Sequence, residues 1–243
     1  MKDSNDFSLV QLRESIFVQK DEWKLGEISD INRKLLGYAF GVIPRNIPSK
    51  RGMFPVDFVL SSLNERTRIL FSVQKVDCII ETESKDIMRS LNDLNKRCTE
   101  ILLDVLEITG TKTASRLAVA PLFRYNSNTA LQEKFVETIY AKSKLKFKNE
   151  KIDNCEFSQL FRVNEGINGR KIKINYLSRF YVENIFTRNE KPRLCNMAVF
   201  DINTLPDPEY NFDVDFVKNF FLKSPVFCED FLSYYFNNGQ ENK

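Results

Sequence analysis

The stretch "CEFSQLFRVNEGINGRKIKINYLSRFYVENIF", residues 155–186, decides the architecture. At its centre Asn168-Gly169 supplies the two residues that tolerate positive φ in a type I′ turn, so the segment reads as a tight antiparallel hairpin. A second hairpin is expected upstream, where "VDFVLSSL" (56–63) and "RILFSVQKVDCII" (68–80) flank the polar "NERT". Within that second arm the alternation changes phase at Gln74-Lys75, which predicts a bulge. Further strands are read at 14–20, at "SRLAVAPLFRYN" (115–126) and at "PRLCNMAVFDIN" (192–203). Runs of hairpins with few helices favour an α+β fold, antiparallel sheets each packed against a long helix, over a doubly wound one.

The helix reading is firmest at "SKDIMRSLNDLNKRCTEILLDVLEITG" (84–110). Ile87, Leu91, Leu94, Cys98, Ile101, Val105 and Ile108 recur at alternating spacings of four and three. Ser84 suits the cap, Asp86 the first turn and Gly110 the stop. Such a stripe fits a long helix lying across a sheet; a coiled-coil seam for a partner chain is the competing reading. Shorter helices are expected at 28–41 and 129–143. A last helix starts near Asp213 and is expected to break or kink before Pro225. The chain then divides into an N-terminal α+β half, 1–126, and a C-terminal α+β half, 127–243. These halves are candidates for a distant duplication and are expected to pack as one compact unit.

Composition excludes more than it selects. The 243 residues include no histidine, which rules out Ser-His-Asp and Cys-His nucleophile activation and any His-ligated metal within the chain. The five cysteines are scattered without a Cys-x-x-Cys pair, as expected of reduced cytoplasmic thiols filling a core. The polar start "MKDSNDFSLVQ" has no signal core, and no run approaches the 18 or so apolar residues of a membrane span, so no membrane partner is expected. No P-loop, dinucleotide fingerprint, nucleophile elbow or kinase motif is present, and no cofactor is expected.

Net charge is only +3, but it is unevenly spread. Residues 134–193 carry 14 Lys+Arg against 7 Asp+Glu, and residues 194–243 carry 3 against 8. "AKSKLKFKNEK" sets Lys142, Lys144, Lys146 and Lys148 at every second position, on one face if extended. Arg162, Arg170, Lys171, Lys173 and Arg179 follow on the 155–186 hairpin. Together they suit a phosphate groove, with Phe157, Phe161 or Tyr176 to stack on bases. An acidic protein surface suits the same cations, and so does an edge strand guarded by lysines against self-pairing.

The acidic run "DINTLPDPEYNFDVD" (201–215) asks for a metal reading. An EF-hand loop fails, because its fifth, sixth and twelfth positions are Leu205, Pro206 and Phe212. A Mg²⁺ site around Asp201 asks only for a few carboxylates. The structural reading makes Pro206 and Pro208 the turn and Asn211 or Asp213 the helix cap. Lys75 and Asp77 share a strand face and form an ion pair or, beside Arg116 and Tyr125, a proton-transfer site.

At Arg124, Tyr125 and Asn126, and again at Asp201-Ile202 before a Phe-rich final helix, the chain resembles a sporadically distributed family of uncharacterised bacterial proteins. The family's second Asp is Asn203 here. The resemblance implies no known activity, and its sporadic occurrence is typical of mobile-element, phage or anti-phage genes. The expectation is therefore a non-catalytic accessory protein with a protein partner or a second copy of itself. A nucleic-acid-binding module and an Asp-based metal enzyme are the alternatives.

Overall fold

Asn168 and Gly169 adopt φ of 49° and 72°, and the strands they join pair in register from Ile167↔Arg170 out to Phe157↔Phe180. A computed structural model describes this hairpin within residues 7–35, 41–47, 56–62, 64, 66–125, 157–185, 193–205 and 211–236. The strands are β1 (Phe7–Phe17), β2 (Gly41–Ile47), β3 (Val56–Ser61), β4 (Thr67–Ser72), β5 (Lys75–Ser84), β6 (Thr113–Ala114), β7 (Arg116–Tyr125), β8 (Phe157–Ile167), β9 (Arg170–Ile185), β10 (Arg193–Thr204) and β11 (Phe212–Asp213). The described helices are α1 (Leu25–Lys34), α2 (Ile87–Ile108) and α3 (Val214–Phe236).

The fold is α+β, but the expected sheets are one. Nine antiparallel strands lie in the order β2-β3-β4-β5-β1-β7-β10-β9-β8, and β6 and β11 form a small separate pair. Outward from the β1–β7 pair the order is the same on both sides. One side runs β1, β5, β4, β3 and the other β7, β10, β9, β8. On each side a three-strand meander returns to the centre and a long helix follows.

The described helices cover one face of the sheet. Leu12, Ile16, Val76, Cys78, Ile80, Leu117, Val119, Phe123, Ile174, Phe200 and Ile202 point to that face and join one buried cluster with the inner sides of the three helices. The heptad-like stripe of α2 is spent there: Ile87, Leu91, Cys98, Ile101 and Val105 are all buried. α3 contributes Phe216, Phe220, Phe221, Phe227 and Phe231, each ring stabilising the core by about 1.5–3 kcal/mol relative to exposure.

Three local expectations are corrected. The phase change at Gln74-Lys75 is a hairpin turn rather than a bulge. Ser72 pairs with Lys75, and Gln74 takes φ of 61° between two separate strands. The cap of α2 is Asp86, whose carboxylate accepts from Arg89 N at 3.4 Å, because Ser84 still belongs to β5. α3 runs unbroken through Pro225, which removes the expected break. Proline deprives the carbonyl four residues back, that of Phe221, of its helical donor. Asn95 Nδ2 (2.9 Å) and Ser224 Oγ (2.9 Å) donate to that carbonyl instead, and Ser224 Oγ also lies 2.5 Å from Asn95 Oδ1. The start of α3 follows expectation: Asp213 Oδ1 accepts from Phe216 N at 2.7 Å.

Candidate functional site

Period-two alternation places the outward half of every central strand, several polar residues among it, on the face that the described helices leave. On β1 these residues are Arg13, Ser15 and Phe17; on β5, Lys75, Asp77 and Glu81; on β7, Arg116, Ala118 and Ala120; on β10, Asp201 and Asn203. The register brings them into rows. One row runs Asp77–Ser15–Ala118–Asn203–Asn175–Arg162, and another sets Phe17 between Lys75 and Arg116.

Asp77 is the anchor of this face. It is buried, and it accepts from Arg13 Nη2 (2.5 Å), Ser15 Oγ (2.5 Å) and Lys75 Nζ (2.8 Å). Burial by itself would raise its pKa. The charges of Arg13 and Lys75 outweigh that and hold the carboxyl below its ordinary value. Burial pulls Lys75 down from its ordinary value, against the opposing pull of Asp77. Next to this triad, Asn203 Oδ1 accepts from Arg116 Nη2 (3.0 Å) and Asn175 Nδ2 (3.1 Å), while Asn203 Nδ2 donates to Asp201 Oδ1 (2.8 Å). The pair suspected from sequence is therefore real, with Arg13 as its missing third member. Tyr125 is not part of it, since its ring packs at 4.9 Å from Phe7 on the helix side. Arg13 and Ser15 carried no sequence signal, because only the strand order places β1 between β5 and β7.

Cations on the two wings of this face differ. On the β1–β5 wing, Arg13 and Lys75 bind Asp77, Arg68 binds Glu81, and Arg124 of β7 binds Glu83. On the outer wing, Arg162, Lys171, Lys173 and Arg179 are exposed, and none has an ion pair or side-chain hydrogen bond among the described residues. The expected basic set is thus divided. Arg170 points to the opposite side, with Nη2 3.3 Å from Asp213 Oδ2 and its guanidinium 5.8 Å from the Phe216 ring centre. Its parity on β9 differs from that of Lys171, which decides the face. Lys142, Lys144, Lys146 and Lys148 lie outside the described residues, as does the helix expected at 129–143.

Two of the suggested base-stacking rings, Phe161 and Tyr176, are corrected for the same reason, while the side chain of Phe157 lies outside the described residues. Phe161 lies 6.2 Å from Phe231 and 5.3 Å from Tyr234, and Tyr176 lies 5.5 Å from Phe231, all under α3. Tyr176 Oη donates to Glu165 Oε1 at 2.8 Å. These rings face away from the cations.

On the helix side, a hollow of about 250 Å³ is lined by Phe161, Val163, Glu165, Tyr176, Asp230, Phe231 and Tyr234. A groove of about 620 Å³ lies where the end of α2 meets the start of α3, with Asp104, Glu107, Asp213 and Asp215 in its wall. Among the described residues no three His, Cys, Asp or Glu side chains are arranged to hold a metal ion. Cys78, Cys98, Cys195 and Cys228 are free and buried. No described helix is long and apolar enough to cross a membrane.

No protein-family model matches the chain, and no curated protein matches it either. Among solved structures, the chain is similar to Methanococcus jannaschii TBP, with 12% identity over 84% of this chain and 90% of that chain and a TM-score of 0.25. A likeness at that score does not bear on the chemistry of this chain.

Proposed function

We propose that the protein is a non-catalytic binding protein whose open sheet face receives a nucleic-acid backbone, with the β8–β9 hairpin supplying the phosphate contacts. One observation carries this reading. Among the described residues, Arg162, Lys171, Lys173 and Arg179 are exposed without anionic partners on that face, whereas Arg13, Lys75, Arg68 and Arg124 on the other wing each bind a carboxylate. Lys171 and Lys173 stand about 7 Å apart along their strand. Asn175 and Asn164 lie among them as neutral donors and acceptors. An exposed cation without a partner keeps its charge for a polyanion and releases counterions when one binds. The family resemblance adds an accessory or defence setting to this proposal.

The test is fluorescence anisotropy with single- and double-stranded oligonucleotides of DNA and RNA. The expected result is affinity that falls steeply with salt. The triple change Lys171→Glu, Lys173→Glu and Arg179→Glu should lower the log–log salt slope by about 0.7–0.9 for each phosphate no longer neutralised. Wild-type binding no tighter at low salt than that of a neutral control protein overturns the reading.

A second reading rests on the acidic groove between α2 and α3. Asp213 of this groove pairs with Arg170, and Asp104 and Glu107 share the single Lys34, so Asp215 and the charge that Lys34 leaves uncompensated are what the unpaired cations of another copy of the chain would meet. Sedimentation that shifts from oligomer to monomer with added salt is its expected signature; a monomer at both salt levels rejects it.

A further inference from the structure

Three buried donors on the open face, Arg13 Nε, Arg68 Nε and Arg116 Nε, have no acceptor among the described residues, and two of them flank the β1–β7 seam. Arg13 Nε and Arg116 Nε are both shielded from solvent and unpartnered. Leaving such a group dry costs about 1–3 kcal/mol, which an incoming acceptor would recover. The two arginines project from adjacent strands at the β1–β7 seam. Arg13 faces Ala120, Ser15 faces Ala118, and Phe17 faces Arg116. Between the arginines β7 offers only the methyl groups of Ala118 and Ala120, both accessible to solvent in part. The register thus sets a strip of small side chains between the two arginines.

A third cation lies close to them. Lys75 Nζ lies 5.2 Å from the centre of the Phe17 ring, and the Arg116 guanidinium lies 5.0 Å from the same ring. Phe17 thus packs against both cations. The acids nearby are already engaged: Asp77 by Arg13, Ser15 and Lys75, and Asp201 by Asn203. Three cations against two carboxylates leave one positive charge in excess.

We infer that this seam binds one phosphate group, held by Arg13, Lys75 and Arg116 above Ser15, Ala118 and Ala120. A tetrahedral oxyanion presents several acceptors at once, which suits donors drawn from three strands better than a planar carboxylate does. The shared chemistry is a phosphate, either free or at the end of a nucleic acid. The seam residues are distinct from the β8–β9 cations, so this site stands or falls separately from the proposed function.

The probe is inorganic phosphate added to the full-length chain, with sodium chloride at matched ionic strength as control. Saturable one-to-one heat in calorimetry is expected, together with displacement of two arginine Nε–H signals in ¹H–¹⁵N spectra. Arg116→Gln keeps a donor for Asn203 and should weaken phosphate binding about tenfold or more. Wild-type heat no different from chloride, or Nε–H signals that stay in place at saturation, overturns the inference without any variant having to fold. Competition by a 5′-phosphorylated oligonucleotide but not by its 5′-hydroxyl counterpart identifies a nucleic-acid terminus as the source. Phosphate binding that neither oligonucleotide displaces identifies the free ion. Phosphate binding unchanged in Arg116→Gln but abolished by the β9 triple change relocates the anion to the outer wing and overturns the seam site.

Discussion

Glu14 shows what a single strand parity can impose. It lies on the helix-facing side of β1 with no exposed surface, where Oε2 accepts from Thr99 Oγ1 at 3.2 Å and Oε1 has no partner among the described residues. Burial pushes its pKa well above 4.5. The folded state therefore holds a proton that the unfolded chain releases, and this site's contribution to stability declines as pH rises above 4.5. Glu14→Gln mimics the neutral acid. It should raise the melting temperature near neutrality and change little at pH 4.5, with each kcal/mol worth about 2–4 °C in a chain of this size. An equal shift at both pH values would show that Glu14 is not neutral in the fold. Asp77, one position outward on the neighbouring strand, has the opposite sign. Its depressed pKa stabilises the fold above 3.8 and is lost as pH falls through the folded value. Asp77→Ala leaves Arg13 and Lys75 without their buried anion. A loss of about 3–5 kcal/mol in urea unfolding is expected, more than for the exposed Glu81 partner of Arg68.

At the scale of elements, the final helix is the informative departure from sequence reasoning. Proline inside a helix normally costs about 3 kcal/mol because it removes one hydrogen bond and crowds a carbonyl. Here the released Phe221 carbonyl receives Asn95 Nδ2 from α2, and the two long helices are clasped by that repair. Asn95→Ala should destabilise the fold by about 1–3 kcal/mol in urea unfolding. Adding Pro225→Ala should recover part of this, because residue 225 then regains an N–H for Phe221. Additive losses in the double variant would show that the two sites do not share the carbonyl. Sequence reasoning stopped at Pro225 because one of the two compensating donors, Asn95, lies 126 residues from the carbonyl that it serves. By contrast, the Asn168-Gly169 turn and the Asp213 cap were legible, since both are settled by residues within a few positions of each other. The turn at Gln74 left a local trace, the phase change, but no glycine to mark it.

For the whole molecule, the β1–β7 pair matters most. The first and seventh strands sit at the centre of one sheet, each flanked by its own meander and covered on the same side by its own long helix. A cut at residue 126 would keep β7 but strip it of β10, and would strip α2 of α3. A fragment 1–126 should accordingly show poorly dispersed amide spectra and bind hydrophobic dye, while the full chain unfolds in one cooperative transition. A fragment with native-like dispersion would make the first half an independent domain. At this scale too the basic hairpin acquires its meaning: its outward rows continue the open face on which Asp77 organises the other wing.

What the sequence determined by itself was what depends on neighbours: the hairpin at 168–169, the long helix after residue 86, the helix start at Asp213, the absence of imidazole chemistry and the unevenness of charge. Residue parity along a strand was also readable, and with it the companionship of Lys75 with Asp77. Only the tertiary structure decided which strands lie side by side, because strand order depends on pairing energies between distant segments and leaves no periodic mark. That order brought Arg13 to Asp77, turned Arg170 and Tyr176 away from the cationic wing, and set Phe17 between Lys75 and Arg116.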